Sequence, residues 1–142
     1  MTQPRVFTPN TGLLAKISVR NLRLRTFIGF NPEEREKKQD VVINIDIRYR
    51  MPRAVLEDRV EEALNYKVIT KNVIRCVEQG RFLLLEKLVA DVLAVCSDHP
   101  DICWSRVTIE KPHALRFADS VSLTLEYERG ASAQYPLLEK AS

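Results

Sequence analysis

The chain has 142 residues, enough for one domain and too few for two full cores. Its 22 basic and 19 acidic residues give a net charge of +3 mixed along the chain, which argues against a nucleic-acid binder and leaves room for a small anionic ligand. The only histidines are His99 and His113, and Cys76, Cys96 and Cys103 form no CxxC pair. A zinc centre is therefore not expected, and free thiols fit better than disulfides.

Residues 1–13 read as a loose leader, polar at the start and without an apolar signal core. No apolar run is long enough to span a membrane, so a cytoplasmic protein is expected. Residues 14–29 read as a long strand. Ile17 and Val19 alternate in one phase and Leu22 and Leu24 in the other, so the slip near Asn21 predicts a bulge. Residues 30–39 read as a charged loop containing Pro32. In residues 40–50, Val41, Ile43, Ile45 and Ile47 share one face opposite Asn44, Asp46 and Arg48, which predicts a second strand ended by Pro52.

Helical spacing of Tyr66, Ile69, Val73 and Val77 predicts a helix over 65–79 with Gly80 as its stop. Leu85, Leu88, Val89, Val92 and Cys96 make the stripe of a second helix over 84–97. Strands follow over 104–111 and 119–128, and residues 130–142 read as a tail. The order β-β-α-α-β-β predicts an α+β domain over 14–129, with both helices on one face of an antiparallel sheet. Such a pair of layers leaves sheet edges open, so association of several copies is expected.

Four residues stand out. Lys111 falls in phase with Val107 and Ile109 on the apolar face of its strand. Desolvation there would make it a usable base, although a strand-end lysine commonly snorkels to water. Glu86 lies in the first turn of the second helix, where an acid suits the dipole, and a carboxylate can also take two parallel N–H bonds from a heterocycle. Tyr66 opens the first helix on the face expected to be buried, either packing or relaying a proton. Glu34, in the charged loop, has a solvated charge as its ordinary explanation.

The combination is more specific than its parts. The stretch Val19-Arg20-Asn21-Leu22-Arg23-Leu24-Arg25-Thr26-Phe27-Ile28-Gly29 resembles the first strand of the dihydroneopterin aldolase/epimerase family. Ala63-Leu64-Asn65-Tyr66, Leu84-Leu85-Glu86-Lys87-Leu88 and Thr108-Ile109-Glu110-Lys111-Pro112 resemble its later motifs, in matching order over residues 16–129. The resemblance implies the tunnelling fold, an oligomeric barrel in which four subunits form a ring and two rings commonly stack into an octamer. It implies a pterin substrate, active sites between subunits, and no metal or cofactor.

Carried over by position, Glu86 would anchor the pterin's amino and ring N–H groups. The Leu85 backbone would frame the ring, and Asn65 would join the substrate-binding residues. Lys111 and Tyr66 would handle protons, with Glu34 near the reacting side chain. The run Lys111-Pro112-His113-Ala114-Leu115-Arg116-Phe117-Ala118-Asp119-Ser120-Val121-Ser122 is closer to the branch that epimerises dihydroneopterin triphosphate at C2'. The aldolases often carry Tyr-His-Gly where this chain has Phe27-Ile28-Gly29. In the epimerase branch, His113, Arg116 and Arg25 are candidate triphosphate contacts, with Arg23, Lys37 and Lys38 as further choices. The aldolase of folate synthesis is the alternative, and a non-catalytic pterin- or purine-binding scaffold is a lesser one.

Overall fold

The computed structural model describes residues 13–130, so all but the innermost residue of the expected leader and of the expected tail lie outside the described residues. The elements in chain order are β1 (Leu13–Ile28), α1 (Pro32–Glu36), β2 (Gln39–Met51), α2 (Arg53–Leu56), a 3-10 turn (Val60–Glu62), α3 (Tyr66–Glu78), β3 (Arg81–Phe82), α4 (Leu85–Cys96), β4 (Ile102–Pro112) and β5 (Ser120–Glu128). The long elements follow the predicted order, and their ends fall within two residues of the periodicity. The short elements α1, α2 and β3 were not expected, because a turn or two of helix or a two-residue strand carries no readable period.

One sheet runs in the order β3-β1-β2-β4-β5. The four long strands pair antiparallel. The expectation of a wholly antiparallel sheet needs correction at one edge, where β3 runs parallel to the end of β1 and pairs Arg81 with Phe27 and Phe82 with Ile28. The predicted bulge is present. Register breaks between Val19 and Leu22, and Asn21 takes a left-handed φ of 54°. Asparagine tolerates that conformation better than most residues, and the Asn21 amide donates to the Asn44 side chain at 2.9 Å.

The core lies between the sheet and the two long helices. Ile43, Ile45, Val107 and Ile109 meet Val73 and Val77 of α3 and Leu88, Val89 and Val92 of α4, each at most 1 % exposed. Full burial of such side chains stabilises the fold by roughly 1.5–3 kcal/mol apiece. Cys96 shares this core, and burial pushes its thiol up to about 12, which leaves it unreactive near neutral pH. Thr26, fully buried, donates to the Val77 carbonyl at 2.6 Å and ties the end of α3 to β1.

The other face of the sheet is polar. Asp46 at its centre is 3 % exposed and accepts from Ser18, Arg20 and Arg106. Burial would push its carboxyl up, but these hydrogen bonds and the Arg20 charge outweigh burial and hold the pKa at about 2. Because this folded value lies below the ordinary 3.8, the stabilisation is present above 3.8 and fades as pH falls towards 2.

Among the described residues the outer edge of β5 is unpaired, as is that of β1 before Phe27. Among the described residues no helix is long and apolar enough to cross a membrane.

Candidate active site

β4 delivers Lys111 as its phase predicts. Val107 and Ile109 point into the core, and Lys111 two residues on is only 12 % exposed at its side chain. Its Nζ donates to Glu34 Oε2 at 2.9 Å. Glu34 reaches it from α1, inside the segment expected to be loop. The helix forms there because Pro32 suits a first turn and Glu34, at its third position, accepts back from the Asn31 amide at 3.4 Å. A capping pattern in Asn31-Pro32-Glu33-Glu34 is the signal that could have revealed it.

Two residues not singled out from the sequence complete this corner. Gln39 donates from Nε2 to Glu34 Oε2 at 3.2 Å and to the Ile28 carbonyl, fixing the carboxylate against the end of β1. The Lys111 hydrogen bond holds the Glu34 carboxyl below its ordinary 4.5 against an opposing effect of burial; Gln39, the Asn31 amide and the Lys111 charge help. The pair's contribution to stability is therefore complete above 4.5 and is lost as pH falls below the depressed value.

Gly29 lies beside the same carboxylate. Its φ is +129°, and a Cβ there would stand 2.2 Å from the Glu34 carboxyl carbon. Gly29→Ala is accordingly expected to push Glu34 off Lys111 and to destabilise the fold by about 1–3 kcal/mol through backbone strain. Thermal melting and the turnover number check this together. A variant with wild-type values for both would show that Glu34 need not sit where it does.

The remaining predicted residues are placed differently. Glu86 is exposed in the first turn of α4, next to half-buried Leu85. Tyr66 corrects an expectation: it is 50 % exposed, because the buried stripe of α3 starts at half-buried Ile69 and is complete only at Val73 and Val77. Asn65 caps α3, its Oδ1 accepting from the Lys67 and Val68 amides at 3.1 and 3.3 Å. That oxygen is committed to the helix. Arg25 pairs with Asp40 at 3.3 Å and donates to the Lys38 carbonyl. His113 and Arg116 sit on the exposed turn between β4 and β5, where Arg116 stacks on Phe117. Of the three predicted catalytic residues, Lys111 and Glu34 are hydrogen-bonded to each other within the single chain.

A large cavity of about 1600 Å³ runs between α3 and α4 and is lined by Asn65 and Leu84 but by neither Glu34 nor Lys111. Size alone does not make it the site. A charged pair held largely out of water at the end of a strand is the better marker of acid–base chemistry. Among the described residues no three His, Cys, Asp or Glu side chains are grouped to hold a metal ion.

An α+β sheet backed by two helices, with a lysine–carboxylate pair at its end, defines a small domain equipped for proton transfer. A family model for FolB, dihydroneopterin aldolase, matches residues 17–126. The chain belongs to the dihydroneopterin aldolase family. It is 50% identical over 115 residues to the dihydroneopterin triphosphate 2'-epimerase of Escherichia coli K12, covering 81% of this chain and 96% of that one. The enzyme of the same name from Pseudomonas aeruginosa is 49% identical over 116 residues, 82% of this chain and 94% of the relative. The dihydroneopterin aldolase of Escherichia coli K12 is 27% identical over 110 residues, 78% of this chain and 90% of that one. Among solved structures, Escherichia coli dihydroneopterin aldolase in complex with neopterin superposes with a TM-score of 0.73 at 26% identity, covering 80% of this chain and 98% of that one.

Proposed function

We propose that this protein is a dihydroneopterin triphosphate 2'-epimerase, converting 7,8-dihydroneopterin triphosphate to 7,8-dihydromonapterin triphosphate. The observation that carries the reading is the contrast in identity: 50% to the epimerase of Escherichia coli K12 and 27% to the aldolase of the same organism. Three cysteines with no disulfide among them fit a reducing cytoplasm.

The substrate brings its own electron sink, the N5=C6 imine of the dihydropterin. Lys111 in its neutral amine form takes the proton of the 2'-hydroxyl, and Glu34 holds the ammonium that results. The C1'–C2' bond then breaks, its electron pair entering the ring as an enamine and the 2' carbon leaving as an aldehyde. The aldehyde stays in the site, turns, and is attacked by the enamine carbon on its other face. The 2' oxygen regains its proton, so atoms and electrons balance with the 2' centre inverted. Glu86 and the Leu85 backbone hold the pterin edge, and Tyr66 of a neighbouring copy serves as proton relay. Retaining the fragment makes re-addition effectively intramolecular, an advantage that reaches about 10⁵–10⁸ M in well-oriented systems.

A site shared between copies is supported by the edges of β1 and β5 left unpaired among the described residues and by the exposure of Tyr66 and Leu84. Four copies closing a ring, with two rings stacked, would cover these edges. Light scattering at micromolar concentration is expected to return the mass of four or eight chains; a monomer would remove the shared site.

Chiral product analysis tests the reaction. Dihydroneopterin triphosphate should yield the monapterin epimer with little free aldehyde, faster than dihydroneopterin is cleaved, and the preference should weaken with salt because phosphate contacts are screened. If dihydroneopterin is instead cleaved to glycolaldehyde faster than the triphosphate is epimerised, with no salt effect, the protein is an aldolase.

A further inference from the structure

A second, smaller cavity of about 300 Å³ lies at the end of β1 and is lined by Phe27, Gly29, Arg35, Arg81, Phe82 and Leu83. Its walls are cationic. The Arg81 guanidinium lies over the Phe27 ring, 3.9 Å from its centroid, and donates to the Arg35 carbonyl at 3.4 Å. Lys38 Nζ lies 5.8 Å from the same centroid. Among the described residues none of Arg35, Lys38 and Arg81 has a carboxylate within 4.0 Å, whereas Arg25 on the same strand end is paired with Asp40. The two-residue β3 positions Arg81 by pairing it directly with Phe27. A guanidinium held over an aromatic ring keeps N–H donors for an anion.

The cavity also adjoins the reacting centre. Gly29 forms part of its wall, and the Glu34 carboxylate that holds Lys111 packs against that same residue. A ligand with its reacting carbons at Lys111 and an anionic tail would find unneutralised arginines one residue away. The exposed turn carrying His113 and Arg116 offers less: Arg116 stacks there on Phe117, which is itself 96 % exposed.

We infer that the Phe27–Arg35–Arg81 pocket binds the polyphosphate chain of the substrate, with Arg81 as its principal contact and Arg35 as its second. The inference rests on the epimerase reading for the identity of the substrate. The anion-binding property of the pocket can be measured independently of that reading.

Inorganic tripolyphosphate is the probe, titrated at low salt into the intact protein and into the Arg81→Ala, Arg35→Ala and Arg116→Ala variants. Arg81→Ala is expected to weaken tripolyphosphate binding at least tenfold, through loss of charge-assisted hydrogen bonds. It should raise the KM for dihydroneopterin triphosphate to a similar extent. Affinity for dihydroneopterin, which carries nothing for this pocket, should change less than twofold. Arg35→Ala should lose about threefold or more, and Arg116→Ala should match the unmodified protein. Unchanged tripolyphosphate affinity in Arg81→Ala, or a loss confined to Arg116→Ala, overturns the assignment. If Arg81→Ala does not fold, Arg35→Ala decides: a loss below threefold overturns it. A protein that binds tripolyphosphate through Arg81 yet prefers dihydroneopterin as substrate would overturn the epimerase reading and leave the pocket standing. The reverse result, triphosphate preference without Arg81 dependence, would do the opposite.

Discussion

Lys111→Ala is expected to lower turnover of dihydroneopterin triphosphate by about 10²–10⁴-fold, the usual contribution of a positioned acid–base group. The lysine is suited to this by its setting. β4 carries it inward behind Val107 and Ile109, only 12 % of its side chain is exposed, and Glu34 holds its Nζ at 2.9 Å. Removing it leaves Glu34 with the Gln39 side chain and the Asn31 amide as donors, so the site keeps its shape. Pterin affinity should therefore stay close to that of the unmodified enzyme, and the loss should fall on kcat. Steady-state kinetics beside a direct titration with neopterin separates the two quantities. A near wild-type rate would make Lys111 a structural partner of Glu34 and would sink the proposed proton transfer.

Glu86→Ala should show the opposite division, with binding lost first. Two charge-assisted hydrogen bonds from a heterocycle's amino and ring N–H groups amount to about 2–4 kcal/mol, or roughly 30- to 1000-fold in affinity. The structure sharpens the test. Glu86 is exposed in the first turn of α4, which has no side-chain cap at its N-terminus, so its structural contribution is limited to the helix dipole. That is about 0.3–1 kcal/mol of stability at an exposed position. A small drop in melting temperature with a large loss of neopterin affinity supports a ligand-binding role. The same small drop with unchanged affinity would return Glu86 to a purely local one.

The long elements could be read from the sequence because each buries a face with a regular period. Alternation along Val41, Ile43, Ile45 and Ile47 specified β2, the stripe from Leu85 to Cys96 specified α4, and the slip at Asn21 announced a bulge that the register shows. The inward phase of Lys111 was legible for the same reason. What the tertiary structure alone decided were contacts between segments distant in sequence. Glu34 lies 77 positions from Lys111 and looks like one more charge in a polar run until α1 turns it inward. Tyr66 carries the period of a buried residue yet stands outside, because periodicity gives a side chain's angle on a helix without saying where packing against the sheet begins. Arg81 sits in a two-residue strand with no period at all, and only its parallel pairing with β1 brings it over Phe27. Local pattern reports which face of an element is apolar; the meeting of charges from separate elements is set by how those faces close on one core.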